Sequence, residues 1–319
     1  NLSNISFMTE YATICGITEE EIKENFMPEL KQMSEANNWS IQETHDRLKA
    51  YYDGYHFSRR NMVDVYNPYS LVNALKSKEI INFWASSGAT SLLPKFVDNA
   101  ELRLSKFENC SVMRNTLELS DVSGGGAELF LYQSGYLTIK ESDEFGYILG
   151  FPNEEVKQAL YETVLPALAM RSENEIQSLQ AGLYRELGTG QIDEAMNSLK
   201  ALIADVPYSN KKLASMDMEE RYRLIISTIM NAIGLSVEVE KMISTGRIDM
   251  TVKTSRYIYV IELKLRNNGG KEAATEQILN RQYMEPFKAD KRKVIGLGIE
   301  LDEEGKGLLD WKRTESFSE

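Results

Sequence analysis

Cysteine and histidine are scarce in this chain, and a nucleotide-binding glycine loop is missing from it. Among 319 residues the cysteines are Cys15 and Cys110, far apart and outside any CxxC spacing. That argues against a disulfide framework or a thiolate zinc site, and a reducing, cytoplasmic setting is expected. The two histidines, His45 and His56, are too few for a histidine-rich zinc centre. No apolar run approaches the ~20 residues that a membrane helix needs, so no membrane partner is expected. Asn1-Leu2-Ser3-Asn4-Ile5-Ser6-Phe7 has neither the basic nor the apolar region of a secretory signal. With no initiator Met, the chain reads as a fragment of a longer one. No G-x-x-x-x-G-K-[ST] loop occurs, and Gly124-Gly125-Gly126-Ala127 has no following lysine. Without that phosphate cradle, ATP hydrolysis by this chain is not expected.

Positive charge is also short overall, with a net charge of −12, but it is unevenly spread. Lys211–Glu319 carries 19 basic and 18 acidic residues, which leaves −13 on the rest of the chain. Phosphate neutralisation supplies most non-specific affinity for nucleic acid, so the acidic part is a poor general binder. Lys264–Lys293 holds eight Lys/Arg against four Asp/Glu, enough for a locally basic face.

The length allows two domains, each with a core of its own. An α+β chain is expected, mostly helical at first and then a compact mixed sheet. Thr18-Glu19-Glu20-Glu21 and Ser40-Ile41-Gln42-Glu43 read as helix N-caps, and Asn67-Pro68 as a helix start. A helix over 128–134 followed by strands at 136–140 and 147–151 predicts a winged-helix-like module near 128–156. Helices over 154–171, 173–187 and 191–205 follow, with a break at Gly188-Thr189-Gly190. Pro207 marks the expected boundary between domains 1–205 and 206–319. Beyond it the order is helix 218–233, strand 235–240, a hairpin, helix 271–283 and strand 293–299.

That hairpin carries the chemistry. Gly246–Val252 and Tyr257–Leu265 are strand-like, joined by Lys253-Thr254-Ser255-Arg256. Alternation places Glu262 and Lys264 on one face and Ile261, Leu263 and Leu265 on the other. A four-residue turn sets Asp249 opposite Val260, on the face of Glu262 and diagonal to it by roughly 7–8 Å. Two carboxylates and an ammonium then converge in an apolar stretch, which is costly unless they pair or bind metal. The bland alternative is a strand ion pair beside an aspartate that ends a turn.

Gly246-Arg247-Ile248-Asp249 and Glu262-Leu263-Lys264, in this element order, resemble the PD-(D/E)xK nuclease superfamily. In more detail they resemble the nuclease-like domain fused to an AAA-ATPase-like region in many bacterial proteins. Ala274-x-x-Gln277-Ile278, Tyr283-x-Glu285-Pro286-Phe287 and Lys293-Val294-Ile295-Gly296 extend the likeness. So do Glu219-x-x-Tyr222 and Glu240. Upstream, Tyr52-Asp53-Gly54-Tyr55-His56-Phe57, Val65-Tyr66-Asn67-Pro68-Tyr69-Ser70 and Phe83-Trp84-x-Ser86-Ser87-Gly88 resemble the C-terminal part of the ATPase-like region. Ser134-Gly135-Tyr136-Leu137 and Pro152-Asn153-x-Glu155-Val156 belong to the same resemblance. Ile248 stands where the superfamily has its nominal proline.

The resemblance implies a Mg²⁺- or Mn²⁺-dependent nuclease acting on DNA, with the ATPase half missing from this chain. Asp249, Glu262 and the Leu263 backbone carbonyl would bind the metal, with Glu219 or Glu240 completing its shell. Lys264 would assist the attacking water, and Gln277 would hold the nucleophile or a phosphate. Arg247, Arg266, Lys271 and Arg281 are the candidate phosphate contacts. A catalytically silent nucleic-acid- or protein-binding module of a larger ATPase-nuclease assembly is the alternative. The aromatic clusters around Tyr52 and Tyr66 and His56 itself are expected to pack structurally rather than to stack on bases.

Overall fold

The computed structural model describes residues 5, 7–60, 63–87, 104–117, 126–169, 173–204 and 216–315. The Gly88, Gly124-Gly125 and Pro207 positions lie outside the described residues. The chain divides into two compact units, Asn1–Leu160 and Tyr161–Glu319.

The first unit opens with α1 (Glu19–Asn25), α2 (Met27–Asn37), α3 (Ile41–Tyr52) and α4 (Pro68–Ser77). Their starts are set locally. Thr18 and Glu21 cap each other's backbone N–H, Ser40 accepts from the Glu43 N–H, and Asn67 accepts from Tyr69 and Ser70. Ile22, Leu30, Met33, Leu48, Tyr52, Tyr66 and Leu71 form their shared core. A two-residue ribbon, β1 (Ile17–Thr18) with β2 (Val65–Tyr66), closes it.

The expected helix-plus-hairpin follows as α5 (Gly126–Gln133), β4 (Thr138–Ser142) and β5 (Gly146–Gly150). Strand β3 (Cys110–Met113) adds to the far side of β5, giving an antiparallel β3-β5-β4 sheet. The upstream signature residues act here as latches. The buried His56 donates its backbone N–H to Thr138 Oγ1 at 2.8 Å, and its Nδ1 lies 2.7 Å from the Ile139 carbonyl. Asn153 donates to the Asp53 carbonyl at 2.9 Å. The fully buried Glu155 accepts from the Phe83 and Trp84 N–H groups at 2.8 and 2.9 Å, and burial pushes its carboxyl up to about 7. Tyr52 and Tyr66 are completely enclosed, so these aromatics are core. Helix α6 (Glu154–Ala169) runs through the division between units.

The second unit contains α7 (Glu173–Thr189), α8 (Ile192–Ala204) and α9 (Met218–Ala232). It continues with β6 (Ser236–Ile243), β7 (Gly246–Lys253), β8 (Tyr257–Leu265), α10 (Gly270–Asn280), β9 (Lys293–Leu301) and β10 (Leu308–Glu315). The sheet order is β10-β9-β8-β7-β6, with β8 and β9 parallel and the other neighbours antiparallel. Helix α10 is the crossover that makes the parallel pair possible.

The division into compact units does not coincide with the expected boundary between 205 and 206. Helices α7 and α8 fall with the sheet rather than with the N-terminal region. The Leu187 carbonyl accepts from Tyr259 Oη at 2.6 Å, and Trp311 Nε1 donates to Asp193 at 2.8 Å. The break expected at Gly188-Thr189-Gly190 falls on the last of the three, Gly190, whose φ is +77° and which sits against the Tyr257 ring. Strand β10 was not expected; it adds one more strand after the anticipated αβββαβ order.

Candidate active site

Asp249 and Glu262 meet on adjacent strands β7 and β8. The last Cα partners of that pair are Met250 and Ile261, so Asp249 and Glu262 are the next positions along it. The diagonal placement expected from a four-residue turn is therefore corrected to a direct one. Lys253 joins the strand, and the turn tightens around Thr254, whose Oγ1 accepts from the Arg256 and Tyr257 N–H groups at 3.2 and 2.9 Å. A shift of two residues leaves every side chain on its face. Asp249 is 6% exposed and Glu262 1% exposed. Asp249 Oδ2 accepts from the Leu263 N–H at 3.0 Å, so Leu263 enters the site through its backbone.

Lys264 Nζ lies 3.5 Å from Glu262 Oε1 and 3.5 Å from Glu219 Oε1, bridging β8 to the first turn of α9. Burial opposes the lysine's charge, but Glu219, Glu262 and Asp249 outweigh it and hold the ammonium above its ordinary pKa. Gln277, on α10, donates to Glu262 Oε1 and to Tyr283 Oη, the latter at 3.3 Å. Burial first, and the Asp249 charge second, push the Glu262 carboxyl up to about 8. Glu262 Oε2 is buried with no hydrogen-bond partner.

The remaining sequence candidates separate. Glu240 does not join the two acids: its carboxylate is taken by Arg223 and by Arg247, the latter at 3.1 Å. Arg266 pairs with Glu300 at 2.9 Å, and Lys271 pairs with Asp310 at the β10 edge; the structure does not bring either to the acids. Arg247 and Arg281 line a cleft of about 580 Å³ together with Gly246, Gln277, Asn280 and Tyr283. Gln277 thus faces both the cleft and Glu262. Arg223 was missed by sequence reading; its Nε lies 3.8 Å from Asp249 Oδ1. The signal available was its helical i+4 spacing from Glu219.

Among the described residues no group of three or more His, Cys, Asp or Glu side chains is arranged to hold a metal ion. The two facing carboxylates nevertheless suit a hard cation that keeps several waters and takes one or two protein carboxylates. Glu262 Oε2 lacks the partner that a buried carboxylate oxygen requires, and a divalent cation would supply it.

A relative described as an uncharacterized protein in the vnfD 5′ region of Azotobacter chroococcum mcd 1 is 27% identical across 97% of this chain. The chain spans 58% of that relative's length. No solved structure matches the chain. Asp249, Glu262, Lys264 and Gln277 all fall within residues 217–311, the stretch that matches the PD-(D/E)XK nuclease superfamily.

Proposed function

We propose that this domain hydrolyses phosphodiester bonds of nucleic acid, DNA in the first instance, with Mg²⁺ or Mn²⁺. The observation that carries the reading is the meeting of Asp249 and Glu262 on adjacent strands with Lys264 bonded to Glu262. Asp249 and Glu262, with the Leu263 carbonyl, are the residues that would hold the cation, Glu219 standing behind Lys264. When bound, the cation lowers the pKa of a water and offsets charge developing on the phosphate. Lys264 orients that water or neutralises a phosphate oxygen. Gln277 fixes the rotamer of Glu262 through Oε1, leaving Oε2 for the metal. Arg247 and Arg281 stand in the cleft, placed to take the phosphates on either side of the scissile one.

Cleavage of plasmid and single-stranded DNA by the metal-loaded chain is the direct test. Asp249→Ala and Lys264→Ala should each reduce the rate by about 10³-fold, the several kcal/mol that metal and charge stabilisation contribute. Cleavage at the wild-type rate by both variants would discard the proposal. Salt-sensitive binding without turnover by the wild type would mark the silent binding module instead. Gln277→Leu removes only the orienting amide, so a drop of about 10- to 100-fold is expected, as for other groups that orient metal ligands. An unchanged rate would return Gln277 to a packing role.

An ATP-hydrolysing half elsewhere in a longer parent chain belongs to the same proposal. Its support is the likeness of the Tyr52–Phe57, Val65–Ser70 and Pro152–Val156 signatures and the greater length of the Azotobacter relative.

A further inference from the structure

Arg223 is the charged group beside the acids that the proposed chemistry leaves unused. It stands on α9 one turn after Glu219 with its side chain 12% exposed, one guanidinium nitrogen on Glu240 and Nε 3.8 Å from Asp249 Oδ1. That Nε–H is buried and has no hydrogen-bond acceptor. Glu240 is itself constrained. It lies inside β6 at φ +54°, a left-handed conformation that non-glycine residues seldom adopt within a strand. One oxygen of its carboxylate, Oε1, takes both Arg223 and Arg247, the latter at the cleft. The two guanidiniums therefore share one anchor, and Arg223 is held beside a carboxylate it does not fully satisfy.

Taking Asp249 as a metal ligand, as the preceding reading does, we propose that Arg223 is a built-in competitor for the metal position. A guanidinium within 4 Å of Asp249 and a divalent cation on the same carboxylate repel each other. A phosphate at Arg247 offers the arginine pair a second anion and draws Arg223 from Asp249. The cation alone then binds weakly, and tightly once a phosphate occupies the cleft. By linkage, metal strengthens phosphate binding by the same factor. The site is thus charged with metal chiefly when substrate is present.

Calorimetric titration of the metal-free full chain with Mn²⁺ tests this without reading cleavage. Arg223→Gln should bind Mn²⁺ alone about tenfold more tightly than wild type, within the usual range of coupling between sites. Arg247→Gln, which removes an equal charge from the same Glu240 but not from Asp249, should change Mn²⁺ affinity by less than about threefold, the residue of a screened charge. With thymidine 3′,5′-bisphosphate as the phosphate probe, wild type should gain about tenfold in Mn²⁺ affinity and Arg223→Gln clearly less. If Arg223→Gln does not fold, Arg223→Lys keeps the charge but loses the fork that spans Glu240 and Asp249, and should tighten Mn²⁺ binding about threefold. Equal Mn²⁺ affinity in wild type and the Arg223 variants, or equal tightening in Arg247→Gln, would overturn the proposal while leaving the nuclease reading intact. Failure of every form to take up Mn²⁺ would overturn both.

Discussion

Glu262→Gln should abolish DNA cleavage and at the same time make the metal-free chain more stable. Activity falls because a neutral amide cannot replace a carboxylate ligand, and the loss should reach about 10³-fold or more. Stability rises because the carboxylate is held where it is least welcome: 1% exposed, facing Asp249, with one oxygen unpartnered. Gln277 and Lys264 keep partners in the variant, Tyr283 Oη and Glu219 respectively. The gain should be on the order of 2–3 kcal/mol at pH 7, several degrees in the melting temperature of a unit this size. Calorimetry of both forms without metal checks it. A variant that melts lower than wild type would mean that the buried carboxyl makes contacts that the amide cannot replace.

The same group sets a pH dependence of known sign. The Glu262 carboxyl lies at about 8 in the folded chain, against an ordinary value of 4.5. Between those limits the folded state holds one proton more than the unfolded state. Stability from this group therefore falls as pH rises through that window. In Glu262→Gln the slope should flatten by about one proton.

Much of this site was legible because its strands alternate. Tyr257–Leu265 interleaves apolar residues with Glu262 and Lys264, and alternation fixes faces whatever the register. The two-residue error in register arose from Thr254, whose side chain closes a tighter turn than the four-residue spacing implied. What failed to show was pairing over long distances. Arg266 and Lys271 counted as free basic residues in the sequence, but their partners Glu300 and Asp310 lie 34 and 39 residues further on. Strand β10 hid for a related reason. Leu308–Glu315 is an edge strand, largely exposed and charged, of the kind that blunts a sheet edge and carries little apolar pattern. Helices α7 and α8 are joined to the sheet by contacts far apart in sequence, from Thr189 and Leu187 to Tyr257 and Tyr259 and from Lys200 and Asp193 to Leu309 and Trp311, which no periodicity reports.

Gly298→Val should be strongly destabilising although it lies outside the charged cluster. Gly298 is the strand partner of Glu262 in the parallel β8–β9 pair, so it occupies the same face and lies beneath α10. A Cβ there would come within 2.4 Å of Thr275 Oγ1, 2.7 Å of the Lys271 carbonyl oxygen and 2.8 Å of the Thr275 backbone nitrogen. Two of those atoms are helix backbone, which cannot rotate aside as a side chain would. The helix must lift to make room. Overpacking of this kind costs about 3 kcal/mol or more for valine and roughly 1–2 kcal/mol for alanine. Lifting α10 also carries Gln277 away from Glu262. Gly298→Ala should therefore stay folded yet lose about 10-fold in cleavage, close to the effect of removing the Gln277 amide itself. Combining Gly298→Ala with Gln277→Leu should then add little further loss of activity, because both act through one contact. Fully additive losses would show that the helix keeps its place and that the glycine serves packing alone.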